Sequence, residues 1–175
     1  IISIKAKDEE AKYLFFVTKR GIVKRTNLED FENIRSIGKI AINLREDDEL
    51  ISVRKTTGGN EVIIGSSDGR MVRFMEDAVR VMSRMASGVK GIFLTDQQTV
   101  VGGDIISKGQ QVLIVTEKGY GKKTPIEEYR MTSRGTKGVK TLKVTDRNGN
   151  LVAFSSVNGD EDAIMITESG IIIRI

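Results

Sequence analysis

Residues 14–25, LFFVTKRGIVKR, decide the fold. Four apolar residues run into Thr18, a glycine follows three residues later at Gly21, and a base follows four residues after that at Arg25. The arrangement returns as VIIGSSDGRMVR at 62–73, VLIVTEKGYGKK at 112–123 and AIMITESGIIIR at 163–174. Its glycines, Gly21, Gly69, Gly119 and Gly170, are spaced by 48, 50 and 51 residues. Ser66, Thr116 and Thr167 match Thr18, and Arg73, Lys123 and Arg174 match Arg25. Self-similarity at such a period marks a stack of identical supersecondary units. An apolar strand, a glycine free to take positive φ and a second strand make each motif a hairpin.

Working outward, GKIAINL from Gly38, GVKGIFL from Gly88 and GVKTLKV from Gly138 recur at an even spacing of 50. Polar turns at 46–49, 96–99 and 146–150 precede further strand-like runs, at 50–53, 100–106 and 151–157, and IISIK at 1–5 looks like the same strand one copy earlier. Each copy therefore holds about four strands, which for the second copy are expected at 50–55, 61–66, 70–74 and 89–94. A capping-box pattern, Thr26-Asn27-Leu28-Glu29 and Thr124-Pro125-Ile126-Glu127, predicts one helical turn between the third and fourth strands, with Pro125 in its first turn. LFFV, VIIG and VLIV hardly alternate, so these strands are expected to be buried on both faces between neighbouring units. Radially stacked four-stranded units satisfy this. The expected fold is all-β, a β-propeller of about 50-residue four-stranded blades. Residues 1–175 form a single partial domain with blades at about 1–49, 50–99, 100–150 and an incomplete 151–175. Propellers typically close with about 4 to 8 blades, so the chain reads as a fragment of a larger ring.

Composition narrows the chemistry. There is no Cys and no His among the 175 residues, which removes thiol nucleophiles, disulfides, the usual zinc sites and imidazole acid–base catalysis. No apolar run is long enough to span a bilayer and no signal peptide is evident, so a cytoplasmic protein without membrane contact is expected. The 28 Lys and Arg face 24 Asp and Glu, a net charge of only +4, so any polyanion argument rests on where the bases sit.

They sit in register. Lys24, Arg25, Arg73, Lys122, Lys123 and Arg174 end the motif copies. The loops around the second landmark carry Arg35 and Lys39, then Arg84 and Lys90, then Arg134, Lys137 and Lys140. A repeat architecture carries such bases around one rim, and a curved row of cations suits phosphate contacts that displace counterions without reading bases. The competing reading is a set of ordinary solvated bases on a protein-interaction scaffold, without a continuous positive rim. Acidic turns at 8–10, 46–49 and 160–162 are expected on a different edge. No phosphate-loop box is present, and Tyr129 matches the apolar Phe31 and Val79 of other copies, which makes it a core residue rather than a nucleophile. No catalytic site, cofactor site or metal site is expected, and a propeller enzyme would need a carboxylate cluster the sequence does not offer. The missing Trp disfavours the kelch and WD repeat classes.

YLFFVTKRGIVKRTNLEDFENIRSIG, AINLREDDELISVR, VRVMSRMASGVKGI, VTEKGYGKKTPIEEYR and SRGTKGV resemble the C-terminal domains of the A subunits of bacterial DNA gyrases, with the paralogous topoisomerase IV domains as the alternative. The resemblance implies a six-bladed β-pinwheel that wraps duplex DNA on a basic perimeter, in support of ATP-dependent negative supercoiling. It further implies that this region is non-catalytic. The partners implied are double-stranded DNA, the rest of the gyrase A chain and the gyrase B chain in an A2B2 enzyme, with ATP and Mg used on other domains, in the bacterial cytoplasm at the nucleoid. The family's early-blade box Gln-Arg-Arg-Gly-Gly-Lys-Gly is absent. Ser133-Arg134-Gly135-Thr136-Lys137-Gly138 and Ser83-Arg84-Met85-Ala86-Ser87-Gly88 look like degenerate versions, and the box itself is expected upstream of Ile1.

Overall fold

The computed structural model describes residues 10–32, 34, 37–95 and 97–174, so the expected strand at 1–5 and the candidate base Arg35 lie outside the described residues. The first motif copy pairs β1 (Tyr13–Thr18) with β2 (Ile22–Asn27), and β3 (Leu50–Thr56) follows. The second pairs β4 (Glu61–Ser66) with β5 (Arg70–Met75), followed by β6 (Val89–Lys90) and β7 (Val100–Ile106). The third pairs β8 (Gln111–Thr116) with β9 (Gly121–Pro125), followed by β10 (Val139–Lys140) and β11 (Leu151–Val157). The last pairs β12 (Ile164–Ile166) with β13 (Ile172–Arg174).

The hairpin chemistry is local. Gly21, Gly69, Gly119 and Gly170 have φ of 76° to 83°. Each donates its N–H to the carbonyl of the Ser or Thr three residues earlier, at 2.9 to 3.0 Å. The hydroxyl at that position completes three of the turns, Thr18, Thr116 and Thr167 accepting from the N–H of Ile22, Tyr120 and Ile171. The Ser/Thr-x-x-Gly spacing is thus a turn whose side chain satisfies the first backbone donor past the glycine.

The sheets run β3-β1-β2-β6, β7-β4-β5-β10 and β11-β8-β9, with β12-β13 as a fourth pair. This moves the expected blade boundaries. The strands expected to open copies at residues 50 and 100 close the preceding sheets instead, β3 on β1 and β7 on β4. A sheet therefore takes its hairpin and inner edge from one repeat and its outer strand from the next. That exchange links the blades covalently and by hydrogen bonds together. The outer strand expected at 89–94 shrinks to Val89–Lys90, because β2 offers only Ile22 and Val23 before its hairpin glycine. Gly91 and Ile92 then both donate to the Gly21 carbonyl and the chain turns away.

One core lies between the first and second sheets, around Phe15, Val23, Ile64, Val72 and Phe74. A second lies between the second and third sheets, around Ile63, Met71, Val112, Ile114, Tyr129 and Leu151. β4, between these two cores, and β1, whose other face packs Leu14 and Phe16 against Phe31 and Ile42, are buried on both faces, as their unbroken apolar runs imply, whereas β8 alternates. The expected helical turns are 3-10 turns, at Leu28–Phe31 and Ile126–Glu128, with a third at Glu76–Ala78 that the capping pattern did not mark. None has a side-chain cap hydrogen bond, and Pro125 is the residue before the turn rather than within it. The turns are too short to leave a full set of orphan N–H groups for a capping box to satisfy.

Candidate nucleic-acid interface

The inner edge is set by β3, β7 and β11, which meet one another. Ser52 Oγ donates to the Gly103 carbonyl at 2.7 Å, Arg54 Nε donates to Asp104 at 3.0 Å, and Ser156 Oγ donates to Asp104 at 2.8 Å. The opposite edges face outward. There, residues 81–92 run along β2, from the Met82 N–H donating to the Arg25 carbonyl to β6 on Ile22 and Val23. Residues 131–142 repeat this on β5, from the Thr132 N–H donating to the Arg73 carbonyl to β10 on Met71 and Arg70. Glycine makes the close approach feasible. A Cβ on Gly88 would stand 2.5 Å from the Val23 carbonyl oxygen, and one on Gly138 2.1 Å from that of Met71.

These outer segments carry five of the expected bases. Arg84 donates to the Ile40 carbonyl at 2.7 Å, and Arg134 donates to the carbonyls of Ala78 at 3.0 Å and Lys90 at 3.1 Å. Carbonyls leave both guanidinium charges uncancelled while fixing their direction. Lys90, Lys137 and Lys140 are exposed and, among the described residues, have no ion-pair partner. Lys39 is exposed in the equivalent segment of the first copy and donates to the Glu32 carbonyl at 2.7 Å. Lys122 and Lys123 are exposed on β9, the free edge of the third sheet among the described residues, and Lys123 shares a small cleft with Glu161 and Asp162.

Four expected bases are otherwise engaged. Lys24 is fully buried, its Nζ donating to the carbonyls of Ala41 and Arg84 at 2.7 and 2.5 Å and lying over the Phe16 ring. Burial pulls its pKa down to about 8, the charge of Arg84 adds to this, and Asp30 opposes it. Arg25 is buried against Tyr13, 3.7 Å from a Glu76 carboxylate whose other oxygen accepts the N–H groups of Gly58 and Asn60. Arg73 pairs with Glu61 at 2.6 Å and donates to the Ile126 and Tyr129 carbonyls at 2.8 and 2.9 Å. Arg174 is paired with Asp162. Lys24 and Arg25 are corrections to the expected phosphate-contact set, because the outer segment supplied by the next repeat covers β2. Arg73, on the covered β5, is mostly buried by the equivalent segment.

Three exposed bases on the same edge were not singled out in the sequence, Arg80, Arg130 and Lys143. Arg80 and Arg130 sit 50 residues apart beside Val79 and Tyr129, and this register match was available as a signal. The turn at 46–49 packs on the first hairpin instead, Asp48 accepting from Thr18 Oγ1 and the Arg20 N–H, and Glu49 pairing with Lys19. Among the described residues no group of acidic side chains could hold a metal ion, and no helix is long and apolar enough to cross a membrane. An opening of about 830 Å³ between the third and fourth sheets is lined chiefly by apolar side chains such as Leu113, Phe154 and Ile166.

The DNA gyrase C-terminal domain, beta-propeller, family matches residues 12–57, 60–107 and 110–158, each a hairpin with its inner strand. The DNA gyrase A chain of Staphylococcus epidermidis is 49% identical across the whole chain, and that of Staphylococcus aureus 48%. The chain spans about 20% of the length of either protein. Among solved structures, the C-terminal domain of DNA topoisomerase IV superimposes with a TM-score of 0.91 at 29% identity, covering 98% of this chain and 54% of that one. The DNA gyrase A C-terminal domain gives 0.84 at 26% identity, covering 94% of this chain and 55% of that one.

Proposed function

The chain belongs to the DNA gyrase C-terminal domain family, and from that premise we propose that it binds duplex DNA without sequence preference and bends it along the outer edge of its blades. The observation that carries this reading is the outward row of uncancelled cations repeated across successive blades, Arg84 and Lys90, then Arg134, Lys137 and Lys140. Phosphate contacts of this kind release condensed counterions and are indifferent to base identity. Smooth bending of a 20 to 30 bp site costs on the order of 1 to 6 kcal/mol, so several blades must share the contacts.

The work of the whole enzyme is part of the same proposal. The chain acts as a non-catalytic segment of a gyrase A chain, alongside the rest of that polypeptide and the gyrase B chain in an A2B2 enzyme of the bacterial cytoplasm, associated with the nucleoid. Its bending of DNA supports ATP-dependent negative supercoiling, with ATP and Mg handled on other domains. The match to the gyrase C-terminal family and the 49% identity to a gyrase A chain over the whole of this chain favour the gyrase reading.

Binding to several unrelated 30 to 40 bp duplexes, followed by fluorescence anisotropy, tests the proposal. The expected result is similar affinity for all of them and a steep loss with added salt. Strong preference for one sequence, or indifference to salt, would overturn it.

A further inference from the structure

Phe93 breaks the pattern of the outer edge. The register matches it to Asn43 in the first copy and Lys143 in the third, both polar, so the repeat does not require an aromatic ring there. Its neighbour Ile92 is buried in the core, whereas the Phe93 side chain is exposed, with 39% of the residue's surface accessible. The ring is nevertheless held in place. The Phe93 N–H donates to the Thr136 carbonyl at 2.9 Å and the Gly135 N–H donates to the Gly91 carbonyl at 2.6 Å, so the ring stands where the outer segments of two successive blades are stitched together. Lys90 from one segment and Lys137 from the other each bring an ammonium to 5.4 Å from the ring centroid. Neither ammonium has a carboxylate or hydrogen-bond partner among the described residues.

An exposed ring flanked by two uncompensated cations is complementary to a surface that sets hydrocarbon between two rows of negative charge. The minor groove of duplex DNA is such a surface, with sugar edges and base stack between phosphate rows, and apolar side chains inserted there open a base step and bend the helix. We propose that Phe93 is a minor-groove contact, its ring pressed against the sugars at one base step while Lys90 and Lys137 hold the phosphates on either side. The contact localises part of the bend at the junction between these two blades. This rests on the duplex-binding reading above and adds to it an apolar contact that charge alone does not supply.

The test compares the chain with F93N, which installs the residue of the first copy, and with F93L, which keeps an apolar group. Duplex affinity, its dependence on salt, and bending read by energy transfer between end labels are measured for each. F93N is expected to weaken binding roughly three- to ten-fold, the worth of burying part of an aromatic ring, and to reduce the bend. Its salt slope should match that of the unsubstituted chain because no charge has changed, and F93L should retain most of both properties. Unchanged affinity and bend in F93N would overturn the proposal. A salt-indifferent or non-binding unsubstituted chain would instead overturn the duplex-binding reading. Unaltered thermal unfolding in both variants, expected for an exposed side chain, ties the effect to the interface.

Discussion

Replacing the landmark glycines with alanine probes the strand exchange that builds the outer edge. All three have positive φ, 77° at Gly38, 99° at Gly88 and 72° at Gly138, so each alanine incurs a left-handed backbone cost of about 1 to 2 kcal/mol. Their surroundings differ. A Cβ at Gly38 meets nothing within 4 Å, one at Gly88 lies 2.5 Å from the Val23 carbonyl oxygen, and one at Gly138 lies 2.1 Å from the Met71 oxygen. Ordinary contact begins at 3.4 Å, so G138A must push two backbones apart by more than an ångström, which breaks the pairing of β10 on β5. The expected destabilisation is about 1 kcal/mol for G38A and about 3 to 5 kcal/mol for G138A, with G88A between them. Urea unfolding followed by circular dichroism measures the series. Duplex binding should fall for G138A under conditions where the variant is still folded, because Lys140 lies on the displaced strand and Lys137 just before it. Equal losses of stability at all three positions would refute the account of the outer strand.

Other substitutions separate stability from binding. Arg73→Ala removes an ion pair and two carbonyl contacts between blades, and should cost about 2 to 4 kcal/mol in urea unfolding. Alanine at both Lys122 and Lys123, exposed on β9, should leave stability within about 0.5 kcal/mol while weakening duplex binding. The folded pKa of Lys24, about 8, lies below its ordinary 10.5, so the unfolded chain holds the extra proton between those values and Lys24 makes stability rise with pH across that window. The stability of the unsubstituted chain relative to K24M should therefore grow between pH 7.5 and 10, by on the order of 1 to 3 kcal/mol. A difference independent of pH would contradict the burial of a charged Lys24.

Local chemistry was the most legible part of the chain. Thr18 and Gly21 specify a hairpin through bonds that span four residues, so their recurrence identified every motif hairpin. The phase of the repeat was hidden, since a period is unchanged by sliding its boundaries and only non-local pairing shows that Leu50–Thr56 belongs with Tyr13–Thr18. The same gap explains the bases. Lys24 and Lys122 occupy one repeat position, yet Lys24 lies beneath residues 81–92 while among the described residues no segment covers Lys122, and only the exchanged segment distinguishes them. Phe93 was hidden for a different reason: an aromatic residue matching Asn43 and Lys143 leaves no periodic signal, and its meaning comes from the two lysines that folding brings beside it.

The central claim is that outward cations on exchanged strands hold the phosphates of a duplex. Its most direct test is the slope of log K against log salt for the unsubstituted chain and for the triple variant K90A/K137A/K140A, which removes exposed charges without touching the core. Each lost phosphate contact lowers the steepness by about 0.9, so the triple variant should be shallower by roughly 2 to 3 while remaining as stable as the parent. An identical slope in the two proteins would show that DNA, if bound, is held elsewhere.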